Sequence, residues 1–134
     1  KFIEYNYRID KVKLDLRNFL DKYKGQKIVG YGASATSTTL ITHLNLHEYF
    51  SYLVDDNIDK IDTFSPGHNI PVFSSKKLIQ DKPDVVVILA WRFKEPILKK
   101  IPKYFSGIIV TPLPSFNIEV YGDESKIKKA GNGK

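Results

Sequence analysis

Lys27-Ile28-Val29-Gly30-Tyr31-Gly32-Ala33-Ser34-Ala35 is the stretch that decides the fold. A short apolar run meets two glycines and then the hydroxyl-rich Thr36-Ser37-Thr38-Thr39, so a strand turns sharply into a helix. Gly30, Gly32 and Ala35 match the G-x-G-x-x-[GA] fingerprint, and here the match lies between a strand and a helix, the context that gives it meaning. Glycines permit the tight turn and the close approach of a phosphate, whose charge is met by amide groups at the helix start. The same glycines serve any tight strand-to-helix turn, so the pattern alone leaves the ligand open.

Outward from this turn, the chain alternates strands and helices. Residues 37–45 read as a helix and residues 49–55 as a second strand. A loop with Pro66, Gly67 and Pro71 follows over residues 56–72, and Ser74 or Ser75 is placed to cap a short helix through Gln80. Asp84 to Ala90, DVVVILA, is the continuous apolar run of a strand buried on both faces. A helix over 94–104, a strand over 107–111 closed by Pro112 and Pro114, and an edge strand over 116–121 complete the pattern. Such alternation predicts right-handed βαβ units and a Rossmann-like, three-layer, doubly wound parallel sheet in the order 2-1-3-4, with an α/β class fold.

On the other side of the turn, Phe2, Tyr5, Ile9, Val12, Leu16, Phe19 and Tyr23 recur at alternating steps of three and four, which predicts a long N-terminal amphipathic helix ended by Gly25. Its stripe either packs on its own domain or serves as a connector or dimer-forming coil. The expected division is a connector helix over 1–25, a Rossmann-like domain over 26–122 and a disordered basic tail over 123–134.

The chain has 134 residues, the size of one domain, and its 42% hydrophobic content supports a real core. The absence of Cys excludes a disulfide framework, a thiolate zinc site and a cysteine nucleophile. Together with the lack of a signal peptide and of an apolar run near the roughly 20 residues of a membrane span, it leads us to expect a soluble, cytoplasmic protein. With no initiator Met, the chain reads as a piece of a longer polypeptide. Net charge is +6, but residues 28–122 carry 9 charges of each sign; the excess lies in residues 1–27 and in the tail. A nucleic-acid binder would carry a basic stripe on its folded face, so neither nucleic acid nor membrane is the expected partner.

Asp55, 23 residues beyond Gly32, lies where a ribose-binding acid sits in dinucleotide domains, which makes the NAD(P)-binding half of an oxidoreductase one reading. Asp56, Asn57, His68, Trp91 and Arg92 each follow the carboxyl end of a strand, the edge where open α/β sheets bind ligands. Asp and Asn also form turns, and Trp91 also suits a core cover. His43 and His47 have a spacing that permits metal binding on a helix, but with no Glu between them and no third ligand they read as a solvated or capping pair.

The blocks GYGASATSTTL, VDDNIDK, FSPGHNIPV, KPDVVVILAWRFKEPIL and GIIVTPLP, in this order from Gly30 to Pro114, resemble the C-terminal domain of the sugar C-methyltransferases of deoxysugar biosynthesis. Five ordered blocks are far more specific than a glycine fingerprint. The resemblance implies a nucleotide-sugar partner, held by Gly30, Tyr31, Gly32, Ala33, Ser34, Thr36, Thr39, Asp56, Asn57, His68, Trp91 and Arg92. It also implies a methyltransferase domain in the same longer chain. S-adenosylmethionine is expected only in that domain, and no cofactor in this one. The family's methyl-donor loop and Tyr-His-Glu-His segment have no counterpart here, so no catalytic residue is expected in this chain. One departure stands out: where the family commonly has Lys, this sequence has Thr36, and Arg92 replaces a frequent Asn, restoring a cation from the neighbouring loop. A non-catalytic dimerisation or scaffold module is the remaining class.

Overall fold

The computed structural model describes residues 2–65, 67–101, 105–113 and 116–121, with side chains from Asp10 onward. Helix α1 (Phe2–Asp21) leads into β1 (Ile28–Tyr31), α2 (Ala35–Leu44), β2 (Tyr52–Asp55), β3 (Val72–Ser74), α3 (Lys77–Asp81) and β4 (Val85–Ile88). A 3-10 turn over Trp91–Phe93, α4 (Lys94–Lys100), β5 (Gly107–Thr111) and β6 (Asn117–Tyr121) follow. The strands form one sheet in the order β3-β2-β1-β4-β5-β6, parallel throughout except for the antiparallel β6.

Alternation along the strands sends side chains to two cores. Val85, Val87 and Leu89 face one side with Ile41 and Leu44 of α2 and Leu16 and Leu20 of α1. Val86 and Ile88 face the other with Leu78 of α3 and Ile97 of α4. Helices therefore cover both faces, which is why DVVVILA carries no polar position between Val85 and Leu89. Val29, Val86, Ile88 and Ile109 are all fully buried. Gly30 is a packing glycine of this core: a Cβ there would come within 2.7 Å of Leu53 Cδ2 and 2.8 Å of Leu89 Cδ1.

The described half of α1 belongs to the same core through Val12, Leu16 and Leu20, with Tyr23 just beyond it. Arg17 donates to the Asn45 carbonyl and the Tyr49 hydroxyl donates to Asp21, fixing the helix to the end of α2 and the turn after it. The predicted stripe positions Phe2, Tyr5 and Ile9, and the predicted tail, lie outside the described side chains. The helix ends at Asp21, and two turns carry the chain past Lys22 and Lys24 to Gly25, at φ +91°.

Besides the end of α1 at Asp21 rather than at Gly25, several boundaries differ from the sequence reading. Tyr49 and Phe50 sit in the turn before β2, packed under it, and α2 starts at Ala35. The loop expected over 56–72 delivers a third parallel strand, Val72–Ser74, too short to announce itself by alternation. The cap position of α3 is Lys76 without a side-chain bond, because Ser75 turns instead to Asp56 and Ser74 bonds the Lys76 amide. Helix α4 ends at Lys100, and residues 102–104 lie outside the described part.

The strand order reverses at β1, whose neighbours are β2 and β4. From its carboxyl end β1 leads to α2 on one face of the sheet and β4 to α4 on the other, the arrangement that places a crevice at the edge where the predicted site lies. No helix among the described residues is long and apolar enough to cross a membrane.

Candidate functional site

The glycine turn is built as its residues require. Gly32 sits at φ +125°, and a Cβ would stand 2.7 Å from Ser37 Oγ and 3.0 Å from the Ala90 amide nitrogen, so neither the conformation nor the space admits a side chain. Ser34 then caps α2 by accepting from the Ser37 amide at 3.3 Å. Across the turn, Asp55 Oδ2 accepts from the Ala33 amide at 2.7 Å, and its Oδ1 from the Asn57 amide at 2.8 Å. The acid at the end of β2 therefore holds two loops together, and it satisfies one of the amides that a glycine turn would otherwise present to a phosphate.

Two clefts open at this edge, with Ala90 and Phe93 between them. The Leu89 and Ala90 amides, which donate to the Tyr31 carbonyl at 3.0 and 3.1 Å, fix that wall to β1. On one side lies a cleft of about 180 Å³ lined by Tyr31, Gly32, Asp56, Phe93, Ile97 and Lys100 among others. Asp56 is its hub, accepting from the Tyr31 hydroxyl at 2.7 Å, the Ser75 hydroxyl at 2.5 Å and the Lys100 ammonium at 3.1 Å. Burial alone would raise the Asp56 pKa; the hydrogen bonds from Ser75, Tyr31 and Lys100 outweigh it and hold the carboxyl below its ordinary range. Burial first, and then the bond to Asp56, push the Tyr31 phenol far above its usual value, so it stays a hydrogen-bond donor.

On the other side, a cleft of about 140 Å³ is lined by Ser34 and Thr36 at the start of α2 and by Leu89, Trp91, Arg92 and Phe93. The Arg92 guanidinium lies 5.3 Å from the centre of the Trp91 ring, which holds it by a cation–π contact. None of the residues lining this cleft is acidic. Among the described residues no carboxylate pairs with Arg92.

The residues singled out in the sequence divide accordingly. Tyr31, Gly32 and Asp56 line the first cleft, while Ser34, Thr36, Trp91 and Arg92 line the second. Ala33 stands between, its amide bound to Asp55. Four of the twelve are elsewhere or otherwise engaged. Gly30 is in the core. Thr39 is exposed on α2 and lines neither cleft. Asn57 turns its side chain back to accept from the Asp59 amide at 2.9 Å, the local bond that makes Asn a turn former. His68 is carried to the far half of α2, where Nε2 lies 3.1 Å from Thr42 Oγ1 and the ring stacks on His47 at 4.8 Å. His47 lies beyond the end of α2, so His43 and His47 are not a helical pair.

Phe93, Pro96, Ile97 and Lys100 line the first cleft without being among the residues expected to hold a ligand. A signal was present: Phe93, Pro96, Ile97 and Lys100 follow one another at helical spacing, so the face that delivers Phe93 to the edge delivers Lys100 as well.

Among curated proteins, the chain is similar to the C-methyltransferase NovU of Streptomyces niveus, 26% identical over 93 residues that make up 67% of this chain and 22% of that protein. This chain thus spans only about a fifth of the length of that relative. Among solved structures it is similar to the UDP-D-quinovosamine 4-dehydrogenase of Vibrio fischeri, with a TM-score of 0.48, 15% identity, and coverage of 75% of this chain and 97% of that one. Residues 1–114 match the family described as the C-methyltransferase C-terminal domain, and to that family this chain belongs.

Proposed function

We propose that this chain is the nucleotide-sugar-binding part of a sugar C-methyltransferase, holding the substrate while the rest of a longer polypeptide transfers the methyl group. The observation that carries this reading is the Arg92 cleft. A guanidinium with no carboxylate partner among the described residues, two hydroxyls and the start of a helix suit a diphosphate, and Arg92 supplies the cation that Thr36 does not. In such an enzyme, contacts with the non-reacting nucleotide fix the sugar carbon for attack, so binding energy gained here lowers the barrier elsewhere.

S-adenosylmethionine, the methyl donor of this reading, belongs outside the chain. The family's methyl-donor loop has no counterpart in this sequence, and the Ala33 amide of the glycine turn is committed to Asp55. The purified chain mixed with S-adenosylmethionine and nucleotide-sugars therefore forms no methylated product.

A nicotinamide dinucleotide fits less well for the same reason: its pyrophosphate would have to displace Asp55 from Ala33. Calorimetric titration separates the readings. Nucleoside diphosphates and their sugars should give weak saturable heats, with NAD⁺ and NADH at least tenfold weaker. Tight binding of NAD⁺ with no heat from nucleotide-sugars would instead identify half of an oxidoreductase.

A further inference from the structure

The Asp56 cleft has features that a diphosphate in the neighbouring cleft leaves unused. Phe93, the last residue of the 3-10 turn, lines this cleft and is 63% exposed. Within the cleft, the Asp56 carboxylate is held in place by Tyr31, Ser75 and Lys100. An ionised carboxylate offers about four acceptor positions, so one remains for a ligand hydroxyl. Lys100, its side chain 56% exposed, spends one of three N–H donors on Asp56 and turns the others to the cleft and solvent. Acceptor, donors and an aromatic face thus stand side by side, one wall away from the Arg92 cleft.

At about 180 Å³ the cleft is smaller than the roughly 300–1,000 Å³ of pockets that enclose a whole ligand, so it takes one ring. We infer that it receives the pentose ring of a nucleoside, with its hydroxyl on Asp56 and Lys100 and its base stacked on Phe93. This rests on the nucleotide-sugar reading and adds an orientation to it. The ring that enters a walled cleft is the one that does not react, and the sugar end of the same molecule points outward past Arg92 to the groups that methylate it. Asp56 thus takes the role that the sequence suggested for Asp55, whose oxygens are committed to the Ala33 and Asn57 amides.

Calorimetric titration of the whole chain and of Phe93→Ala and Asp56→Asn tests this. The probes are UDP, dTDP, ADP and GDP, together with UDP-glucose and glucose 1-phosphate, and far-UV circular dichroism confirms folding. Phe93 is exposed, so its replacement is expected to leave the fold intact. The expected result is that the best nucleoside diphosphate binds within about threefold of its sugar derivative and glucose 1-phosphate at least tenfold weaker. Phe93→Ala then weakens both nucleotides alike, by about tenfold, the scale of one base–aromatic stack. If Phe93→Ala removes only an advantage of UDP-glucose over UDP, the sugar occupies the cleft and the inference is wrong. If wild type binds nucleotides and neither variant changes their affinity, the cleft is unused and the inference fails while the nucleotide-sugar reading stands. If wild type binds none of the probes, both fall together.

Discussion

The cleft on the Tyr31 side of Phe93 and the cleft on its Ser34 side are formed by the same two strand ends, yet they settle charge in opposite ways. In the first, Asp56 and Lys100 meet each other at 3.1 Å, and two hydroxyls complete the carboxylate. In the second, Arg92 faces hydroxyls and an aromatic ring with no counter-ion among the described residues. A neutralised cleft orients a ligand through directional hydrogen bonds; a cleft with an uncompensated cation attracts an anion. The difference arises from sequence order. Residues after β2 and at the end of α4 reach one face of the sheet edge, while the start of α2 and the turn after β4 reach the other.

Gly32→Val breaks the comparison outright. Its branched side chain meets both Ser37 at the start of α2 and the Ala90 wall between the clefts, in a backbone conformation that disfavours it. Overpacking and a strained φ together are expected to cost about 3 kcal/mol or more in urea denaturation, and nucleotide binding is lost. A variant of unchanged stability would mean that the turn is looser than described.

Arg92→Ala acts on one cleft only. Bonds to a charged donor contribute about 1.5 to 3 kcal/mol, so affinity for a nucleoside diphosphate should fall about 10- to 100-fold, with the melting temperature unchanged. An affinity loss that does not shrink as salt rises would show that the guanidinium acts by packing on Trp91 rather than by charge.

Much of this was legible beforehand, and the residues show why. DVVVILA reads as a doubly covered strand because every position from Val85 to Leu89 must be apolar, and Gly32 reads as a turn because no other residue fits. Asp55 and Asp56 are adjacent acids, and composition cannot tell which turns into the glycine loop and which into the cleft. That depends on the pleat at the end of β2. His68 was expected at the edge because its loop follows a strand end. However, bonds within the loop, between the Ser65 amide and the Ile70 carbonyl and between the Asn69 amide and the Ser65 carbonyl, fold it back toward α2. The strand Val72–Ser74 is defined by pairing with β2, a non-local fact that three residues cannot encode alone.

A smaller effect sharpens the contrast from the Asp56 side. Its folded pKa lies below the ordinary 3.8, so its stabilisation is fully present above that value and is lost as pH falls through the lowered one. Asp56→Asn should flatten the acid limb of the stability curve below about pH 4, leaving a difference near neutrality of about 1 kcal/mol, since the site is partly open to solvent. An acid limb identical to wild type would mean that the three bonds to Asp56 do not persist in solution.

On the proposed reading, one nucleotide spans both clefts, with its phosphates at Arg92 and its nucleoside at Asp56. Amide chemical-shift mapping on the isotope-labelled chain, titrated with the best-binding nucleoside diphosphate, tests it most directly. With a nucleotide so placed, the largest shifts are expected together on Ser34, Thr36 and Arg92 and on Tyr31, Asp56, Phe93 and Lys100, while His47, His68 and Thr39 stay still. Shifts confined to one cleft, or centred on the His47–His68 stack, would contradict it.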